Sequence, residues 1–250
     1  MILVRPSYDI IDFPSTPLEQ IEVVARTCYK SHDKIGPGSS VKMARMLKER
    51  HHSAMLEFGG DPIVKFVCDR GVSHELVRHR LCSFAQESTR YCNYTKDKFG
   101  NQLTFVIPPW FAEHLRPGEY QLHRASNLTS VEYHDEDVPM WNTICTNVDS
   151  EYEEDGIVKL ELYSWLKLLL IAEEEYLYLV GERGESPQQA RAVLPNSLKT
   201  EICVKANTRE WMHIFSQRCN PAAHPQMLEL MIPLAKEFAA LCDVLYEEWA

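Results

Sequence analysis

The chain has 250 residues, of which 45% are hydrophobic and 25% are charged, and its formal net charge at pH 7 is −10. This length can bury a sizeable core, and we expect a single domain over residues 1–250. An acidic chain without a long Lys/Arg tract argues against nucleic acid and membrane surfaces as partners, because both require broad positive potential. The most apolar run, Leu166 to Ala172, is too short to cross a bilayer, so the sequence predicts a cytoplasmic protein.

The first half of the chain alternates strand-like and helix-like patterns. An apolar run at the start predicts a strand, and Thr16 with Glu19 forms a capping box for a helix from Pro17 to Tyr29. The segment SSVKMARMLKERHH predicts a second helix. A β-branched run predicts a strand from Ile63 to Cys68, and Ser73 is expected to cap a helix that carries HELVRHR.

The second half predicts further elements on either side of an acidic segment. Residues 128–156 are polar and acid-rich without a sustained period, so we interpret them as an insertion or a long surface connection. Ser186 and Gln189 form a capping box for the short helix QQARAVL. The other predicted elements are strands at Gln102–Ile107 and Lys199–Ala206, and helices at Ile157–Val180, at Thr208–Arg218 and from Pro225 onward.

Several common catalytic and metal-binding patterns are absent from the sequence. The eight cysteines contain no C-x-x-C pair, which favours free thiols over disulfides or a zinc site. HELVRH spaces its histidines at i and i+5, about 140° apart on a helix, so it does not form the zinc-binding i,i+4 pair. No G-x-S-x-G motif is present. We therefore expect no metal ion and no hydrolase site.

Residues 78–90 concentrate positive charge in this acidic chain, with Glu87 as their one carboxylate. A solvated helix face paired with surface acids would explain any single arginine. The group favours an anionic ligand, because guanidinium groups bind phosphate oxygens in pairs and nearby hydroxyl and amide groups can hold a polar heterocycle. On a helix, Arg78 and Arg80 would lie on different sides and reach two ligands or two parts of one ligand. The basic residues are Arg78, His79, Arg80 and Arg90, and the polar ones are Ser83, Gln86, Ser88 and Thr89.

The order Arg78-His79-Arg80, seven residues, then Ser88 resembles the signature of flavin-dependent thymidylate synthases. Three other segments are similar to that family in the same order along the chain. These are HSAMLEF with His52 and Glu57, ARAVLP with Arg191, and NTREWMHIFSQR with Asn207, Arg209, His213 and Arg218.

This resemblance implies a fold and a reaction. The implied fold is α+β, a single domain with helices packed on a mainly antiparallel sheet. The implied activity converts dUMP to dTMP with methylenetetrahydrofolate as the carbon donor, while FAD reduced by NADPH supplies the hydride. The implied partners are dUMP, a reduced folate and NADPH, in a homotetramer whose active sites lie between subunits.

The resemblance also implies residue roles. Arg218 is expected to stabilise negative charge on the uracil carbonyls. Ser88 is the other candidate catalytic residue, and we interpret it as a binding group because the motif gives it no adjacent base. Cofactor binding is implied for His52, Glu57, Arg78, His79, Arg80, Asn207, Arg209 and His213. Substrate binding is implied for Glu75, Gln86, Glu87, Ser88, Thr89, Arg90, Arg191 and Arg218.

Three departures from the family pattern leave alternatives open. Phe58 replaces a histidine, Glu75 replaces a common glutamine, and Ala85-Gln86 replaces Asn-Glu. One alternative is a noncatalytic relative that binds flavin or nucleotide. The other is a flavin-dependent transferase that acts on another pyrimidine nucleotide.

Overall fold

A computed structural model describes residues 1–125, 128–134, 141–146 and 154–249 of the chain. The chain divides into two compact units, which we call the first and second units. The first unit comprises Met1–Pro6, Cys68–Gly71 and Glu87–Thr200, and the second comprises Ser7–Val67, Val72–Gln86 and Glu201–Ala250. The single domain expected from the sequence stays a prediction.

Strands and helices both contribute to the fold, and the α+β class expected from the sequence is confirmed. The strands are β1 Ile2–Val4, β2 Ser7–Asp12, β3 Ile63–Asp69, β4 Ser83–Gln86, β5 Thr104–Val106, β6 Gly118–Ala125, β7 Leu128–His134, β8 Trp141–Thr146 and β9 Lys199–Lys205. The α-helices are α1 Pro17–Tyr29, α2 Ser39–Glu49, α3 Arg70–Leu76, α4 Glu154–Gly181, α5 Pro187–Ala190, α6 Thr208–Arg218, α7 Pro225–Leu241 and α8 Asp243–Tyr246.

The first unit contains a sheet of strand order β5-β1-β6-β7-β8. β1 pairs in parallel with β5, whereas the β1–β6, β6–β7 and β7–β8 pairs are antiparallel. Its core joins strand and α4 side chains, because Leu3, Phe105 and Leu166 are each fully buried in one hydrophobic cluster. No helix in the described ranges combines the length and the apolar character needed to cross a membrane.

The acidic segment 128–156 contains regular structure that the sequence pattern did not indicate. β7 and β8 lie in this segment, and β7 pairs with β6 from Glu119↔His134 to Ala125↔Leu128. The composition of the segment did not predict these strands, because pairing with a neighbouring strand satisfies the backbone whatever the local composition. Whether residues 128–156 are an insertion relative to the family stays a prediction.

The second unit contains a sheet of strand order β2-β3-β9-β4, so the described residues form two sheets where the sequence led us to expect one. The β2–β3 and β4–β9 pairs are antiparallel. Aromatic side chains from α6, α7 and α8 form part of its core: Phe238 lies 5.2 Å from Trp211, Phe215 and Tyr246, measured between ring centroids. The indole N–H of Trp211 donates to the Pro62 carbonyl at 3.1 Å, which ties α6 to the start of β3.

α3 differs from its predicted position, and this changes the setting of the basic cluster. The helix begins at Arg70, so Ser73 is fully buried inside it and is not its N-cap. The helix ends at Leu76, where the N–H groups of Arg78 and His79 bond to carbonyls three residues earlier and tighten the turn toward β4. Arg78, His79 and Arg80 therefore follow the helix, and the argument that a helix separates the two arginines was wrong.

Local capping signals gave mixed results elsewhere. The prediction of α1 at Pro17–Tyr29 is confirmed, but Thr16 makes no side-chain cap hydrogen bond. The capping box before α5 is present, with the Ser186 N–H donating to Gln189 Oε1 at 3.2 Å. Free thiols are confirmed for the cysteines whose side chains are described: Cys28, Cys68, Cys82, Cys92, Cys203, Cys219 and Cys242.

Candidate functional site

Arg218, the last residue of α6, is anchored by three hydrogen bonds inside the second unit. Its Nε donates to His79 Nε2 at 3.0 Å, one terminal nitrogen donates to Glu75 Oε2 at 2.6 Å, and the other donates to the Glu75 carbonyl at 3.0 Å. A guanidinium has five N–H donors, so two have no partner among the described residues and remain for a ligand. Arg218 and Glu75 also line an open cavity of about 600 Å³.

His79 is buried beside this arginine and is held in its neutral form. Burial, followed by the charges of Arg218 and His213, lowers the pKa of His79 to about 4. A guanidinium can only donate, so His79 Nε2 must accept and the ring proton must sit on Nδ1. That Nδ1 lies 3.6 Å from Glu210 Oε1, within ion-pair range but longer than a hydrogen bond.

Glu210 is a buried carboxylate that the sequence analysis missed. Its exposure is 6%, and burial raises its pKa, opposed by the charges of His213 and Arg209. Asn207 caps α6 because its Oδ1 accepts from the Glu210 N–H at 2.9 Å. The Asn-x-x-Glu spacing resembles a capping box and was the available signal, although it does not show that the carboxylate faces His79.

His79, Glu210 and His213 present ligand atoms that all lie within 4.8 Å of one another, as a metal site would. However, a metal on His79 Nδ1 would require that nitrogen to lose its proton. The proton could then remain only on Nε2, where it would face the Arg218 N–H donor. The geometry thus disfavours a metal at this cluster, and the expected absence of metal stays a prediction.

A second cavity of the same unit gathers four of the residues expected to bind the cofactor. Arg209 donates to Glu57 Oε1 at 2.6 Å, and both side chains are about half exposed. The cavity measures about 430 Å³, and its lining residues are Glu57, Leu81, Asn207, Arg209, Glu210 and His213.

Other residues expected to bind the cofactor lie outside the lining of this cavity. His52 Nδ1 lies 2.9 Å from the hydroxyl of Tyr29, an exposed partner that no motif indicated. Arg78 and Arg80 are exposed on the turn after α3. Gln86, expected to bind substrate, donates from Nε2 to Ser73 Oγ at 2.8 Å.

In the first unit, Glu87 is engaged by the protein itself. Tyr94 donates its hydroxyl to Glu87 Oε1 at 2.9 Å, and Lys199 donates to Oε2 at 3.2 Å. The Glu87 carbonyl accepts from Arg70 at 3.0 Å. Burial and the Glu87 charge raise the pKa of Tyr94, which therefore remains a hydrogen-bond donor. Glu87 thus anchors the start of the segment that carries Ser88.

Residues 88–90 form a polar turn next to Arg191. Ser88 Oγ accepts from the Arg90 N–H at 3.3 Å, and no histidine or carboxylate in the described ranges hydrogen-bonds this hydroxyl. Thr89 is buried, and its Oγ1 accepts from Arg191 at 3.4 Å. Arg90 and Arg191 are both exposed. This arrangement suits binding of an anion more than nucleophilic attack by Ser88, because none of the described residues is placed to act as a base on the serine.

Comparison with solved structures identifies the fold. A UMP/dUMP methylase PolB from Streptomyces cacaoi bound with 5-Br dUMP superposes with a TM-score of 0.67 and 21% identity, covering 99% of this chain and 96% of that chain. Thymidylate synthase X (ThyX) from Helicobacter pylori with FAD and dUMP gives a TM-score of 0.61 at 17% identity, covering 98% of both chains. At these identities the likeness shows the fold.

Sequence comparison identifies the family. The flavin-dependent thymidylate synthase of Corynebacterium aurimucosum is 27% identical over 231 residues, which cover 92% of this chain and 78% of the relative. That of Corynebacterium diphtheriae is 28% identical over 225 residues, which cover 89% and 75%. The model of the family described as thymidylate synthase complementing protein matches residues 9–242. The resemblance seen in the Arg-His-Arg signature is therefore confirmed, and the chain belongs to this family of flavin-dependent thymidylate synthases.

Proposed function

We propose that this chain converts dUMP to dTMP, taking the methylene carbon from methylenetetrahydrofolate and the hydride from FAD that NADPH has reduced. The observation that carries the proposal is Arg218, which is anchored by Glu75 and His79 and keeps two N–H donors beside an open cavity. Family membership supports the same reaction. The solved structure of H. pylori ThyX contains FAD and dUMP.

The cavity of about 430 Å³ in the second unit, which Arg209 and His213 line, has groups that fit FAD. Arg209 offers a half-exposed cation for a diphosphate, and Asn207 and His213 offer polar groups at the same cavity. We assign FAD to these residues, together with Glu57, His52 and the Arg78–Arg80 turn. Bound FAD would supply the hydride chemistry, while the protein supplies orientation and charge.

Arg218 would act on the pyrimidine. Negative charge builds up on a uracil carbonyl as C5 reacts, and fixed N–H donors stabilise this charge without reorganising. The neutral His79 supports this role, because it accepts from Arg218 and adds no competing positive charge. No thiolate is required, and burial raises the pKa of Cys82 to about 12 and that of Cys219 to about 11.

The remaining assignments rest on the family resemblance together with exposed polar groups of the first unit. Arg90 and Arg191 are exposed and can bind the dUMP phosphate, with Ser88 and Thr89 beside them. A homotetramer with active sites between subunits, binding of reduced folate and NADPH, and a cytoplasmic location belong to the same proposal.

A direct experiment separates this function from its alternatives. The purified protein is mixed with FAD, and we expect oxidised-flavin absorbance at about 450 nm. Anaerobic single-turnover oxidation of the reduced flavin is then followed with methylenetetrahydrofolate and either dUMP or UMP. Formation of dTMP from dUMP supports the proposal.

Each alternative gives a different result in this assay. A protein that binds FAD and dUMP but makes no dTMP is a noncatalytic relative. Methylation of UMP in preference to dUMP identifies a transferase for another pyrimidine nucleotide, an activity that the PolB name makes worth testing. A protein that does not bind FAD contradicts the proposed function and both flavin-dependent alternatives.

A further inference from the structure

The second unit contains a row of four polar side chains, which runs from Glu75 through Arg218 and His79 to Glu210. Hydrogen-bond acceptors and donors alternate along this row. The first three are joined by hydrogen bonds of 2.6 to 3.0 Å, and Glu210 lies 3.6 Å from His79. Glu75 lies in α3, His79 lies on the turn that follows, and Arg218 and Glu210 both lie in α6. This row of side chains therefore links the two segments that resemble the family, one at α3 and the turn after it and the other at α6.

Glu210 is the unusual member of this row of side chains. It is 6% exposed, and no lysine or arginine in the described ranges lies within ion-pair distance of its carboxylate. A buried carboxylate is costly to desolvate, and the neutral imidazole of His79 with the charges of His213 and Arg209 offsets that cost only in part, because the pKa of Glu210 is still raised. Such a group is a candidate for a functional role.

The orientation of Arg218 depends on which ring nitrogen of His79 carries the proton. With the proton on Nδ1, Nε2 is free to accept from Arg218 Nε, as observed at 3.0 Å. With the proton on Nε2, two donors would face each other and the guanidinium would have to move. A carboxylate beside Nδ1 favours the first tautomer, since its negative charge attracts the N–H dipole.

We propose that Glu210 is a positioning residue: it keeps the His79 proton on Nδ1, and His79 in turn holds Arg218 so that two N–H donors stay directed at the reacting pyrimidine. The role in turnover rests on the proposed function, whereas the tautomer control does not. Glu75 holds the guanidinium by two other bonds, so loss of Glu210 should disturb the orientation of Arg218 without releasing it.

The test compares Glu210→Leu, which removes the acceptor at similar size, with Glu210→Gln, which retains an acceptor oxygen. Asp61→Asn is the matched control, because Asp61 is an acid of the same unit that pairs with Lys205 at 3.1 Å on the surface. We expect Glu210→Leu to lower kcat about tenfold, with KM for dUMP and FAD binding within about twofold of wild type. Glu210→Gln should stay within about threefold of wild type in kcat.

A spectroscopic readout makes the tautomer visible without turnover. Solid-state ¹⁵N NMR of ring-labelled histidine, with the His79 signals assigned by their loss in His79→Gln, should show His79 protonated on Nδ1 in the wild type. Glu210→Leu should give a mixture of tautomers, and Glu210→Ala supplies the same comparison if the leucine variant does not fold. This measurement still decides the tautomer control if the wild type makes no dTMP, an outcome that would defeat the proposed function alone.

Three results would overturn the positioning role. The first is an unchanged His79 tautomer in Glu210→Leu. The second is an equal loss of kcat in the glutamine and leucine variants. The third is loss of FAD binding in Glu210→Leu, which would indicate that Glu210 contacts the cofactor directly.

Discussion

Arg218 in the second unit and Glu87 in the first both lie in segments that resemble the family signature, yet their surroundings differ. Arg218 keeps two of its five N–H donors and borders an open cavity. Glu87 has both carboxylate oxygens occupied, by Tyr94 and Lys199. Residues in the family-like segments thus include groups that can bind a ligand and groups that stabilise the fold. The motif alone does not distinguish the two kinds.

Replacing Arg218 tests the ligand-facing side of this comparison and has the largest expected effect. A lysine keeps the charge but cannot form the planar fork that binds Glu75, His79 and a ligand together. We expect Arg218→Lys to lower the single-turnover rate by about 10²–10³, because fixed donors matter most as charge develops. The dUMP dissociation constant, measured by calorimetry, should rise less than about tenfold.

Arg191→Ala is the matched arginine variant from the first unit. Its guanidinium is exposed and, among the described residues, donates to Thr89 alone, in a long hydrogen bond of 3.4 Å. We expect dUMP binding to weaken by about tenfold while the rate at saturating dUMP stays near wild type, because a phosphate contact persists through the reaction. A fall in the saturated rate like that of Arg218→Lys would show that the two roles are assigned wrongly.

The buried imidazole of His79 should make the free energy of unfolding depend on pH. Its pKa is about 4 in the folded protein, and an unfolded histidine has a pKa of about 6.5. Between these values the unfolded chain binds the proton more readily, so the free energy of unfolding should fall as the pH drops from about 6.5 to about 4. The loss should approach about 3 kcal/mol and then level off.

Urea unfolding over this pH range, with wild type and His79→Gln compared, checks the prediction. The glutamine variant should lack the part of the pH dependence that His79 contributes. Equal slopes in the two proteins would mean that His79 is not held neutral.

Glu87 tests the scaffold side of the comparison. In Glu87→Leu the side chains of Tyr94 and Lys199 lose a common acceptor in a half-buried setting, so we expect the free energy of unfolding to fall by about 2 kcal/mol. Asp61→Asn, which weakens a surface ion pair, should change it by less than about 0.5 kcal/mol. A stable Glu87→Leu protein with lost dUMP binding would instead make Glu87 a ligand contact.

Sequence reasoning succeeded where the determining interactions are local. α6 begins and ends at the predicted residues, and its start is set locally because Asn207 caps it through its own side chain. The predicted strand in β3 lacked only Asp69. β7 was missed because its pairing with β6 joins backbone groups that no local period encodes. The contact between Glu210 and His79 joins residues 131 positions apart, and a helical pattern reveals only that Glu210 lies on α6.

The cysteines carry the smallest expected effect and contrast with the arginines. Thiols attack as thiolates, and burial raises the pKa of Cys82 to about 12 and that of Cys219 to about 11, so both remain protonated near neutral pH. We expect Cys82→Ser and Cys219→Ser to keep the single-turnover methylation rate within about twofold of wild type, with a modest loss of stability where a hydroxyl replaces a half-buried sulfur. Cys28→Ser, at an exposed thiol, controls for the substitution itself. If any one of these changes abolishes dTMP formation while FAD and dUMP still bind, the flavin-centred mechanism is wrong and a covalent thiolate step must replace it. Charge stabilisation by Arg218 would then not be enough to drive the reaction.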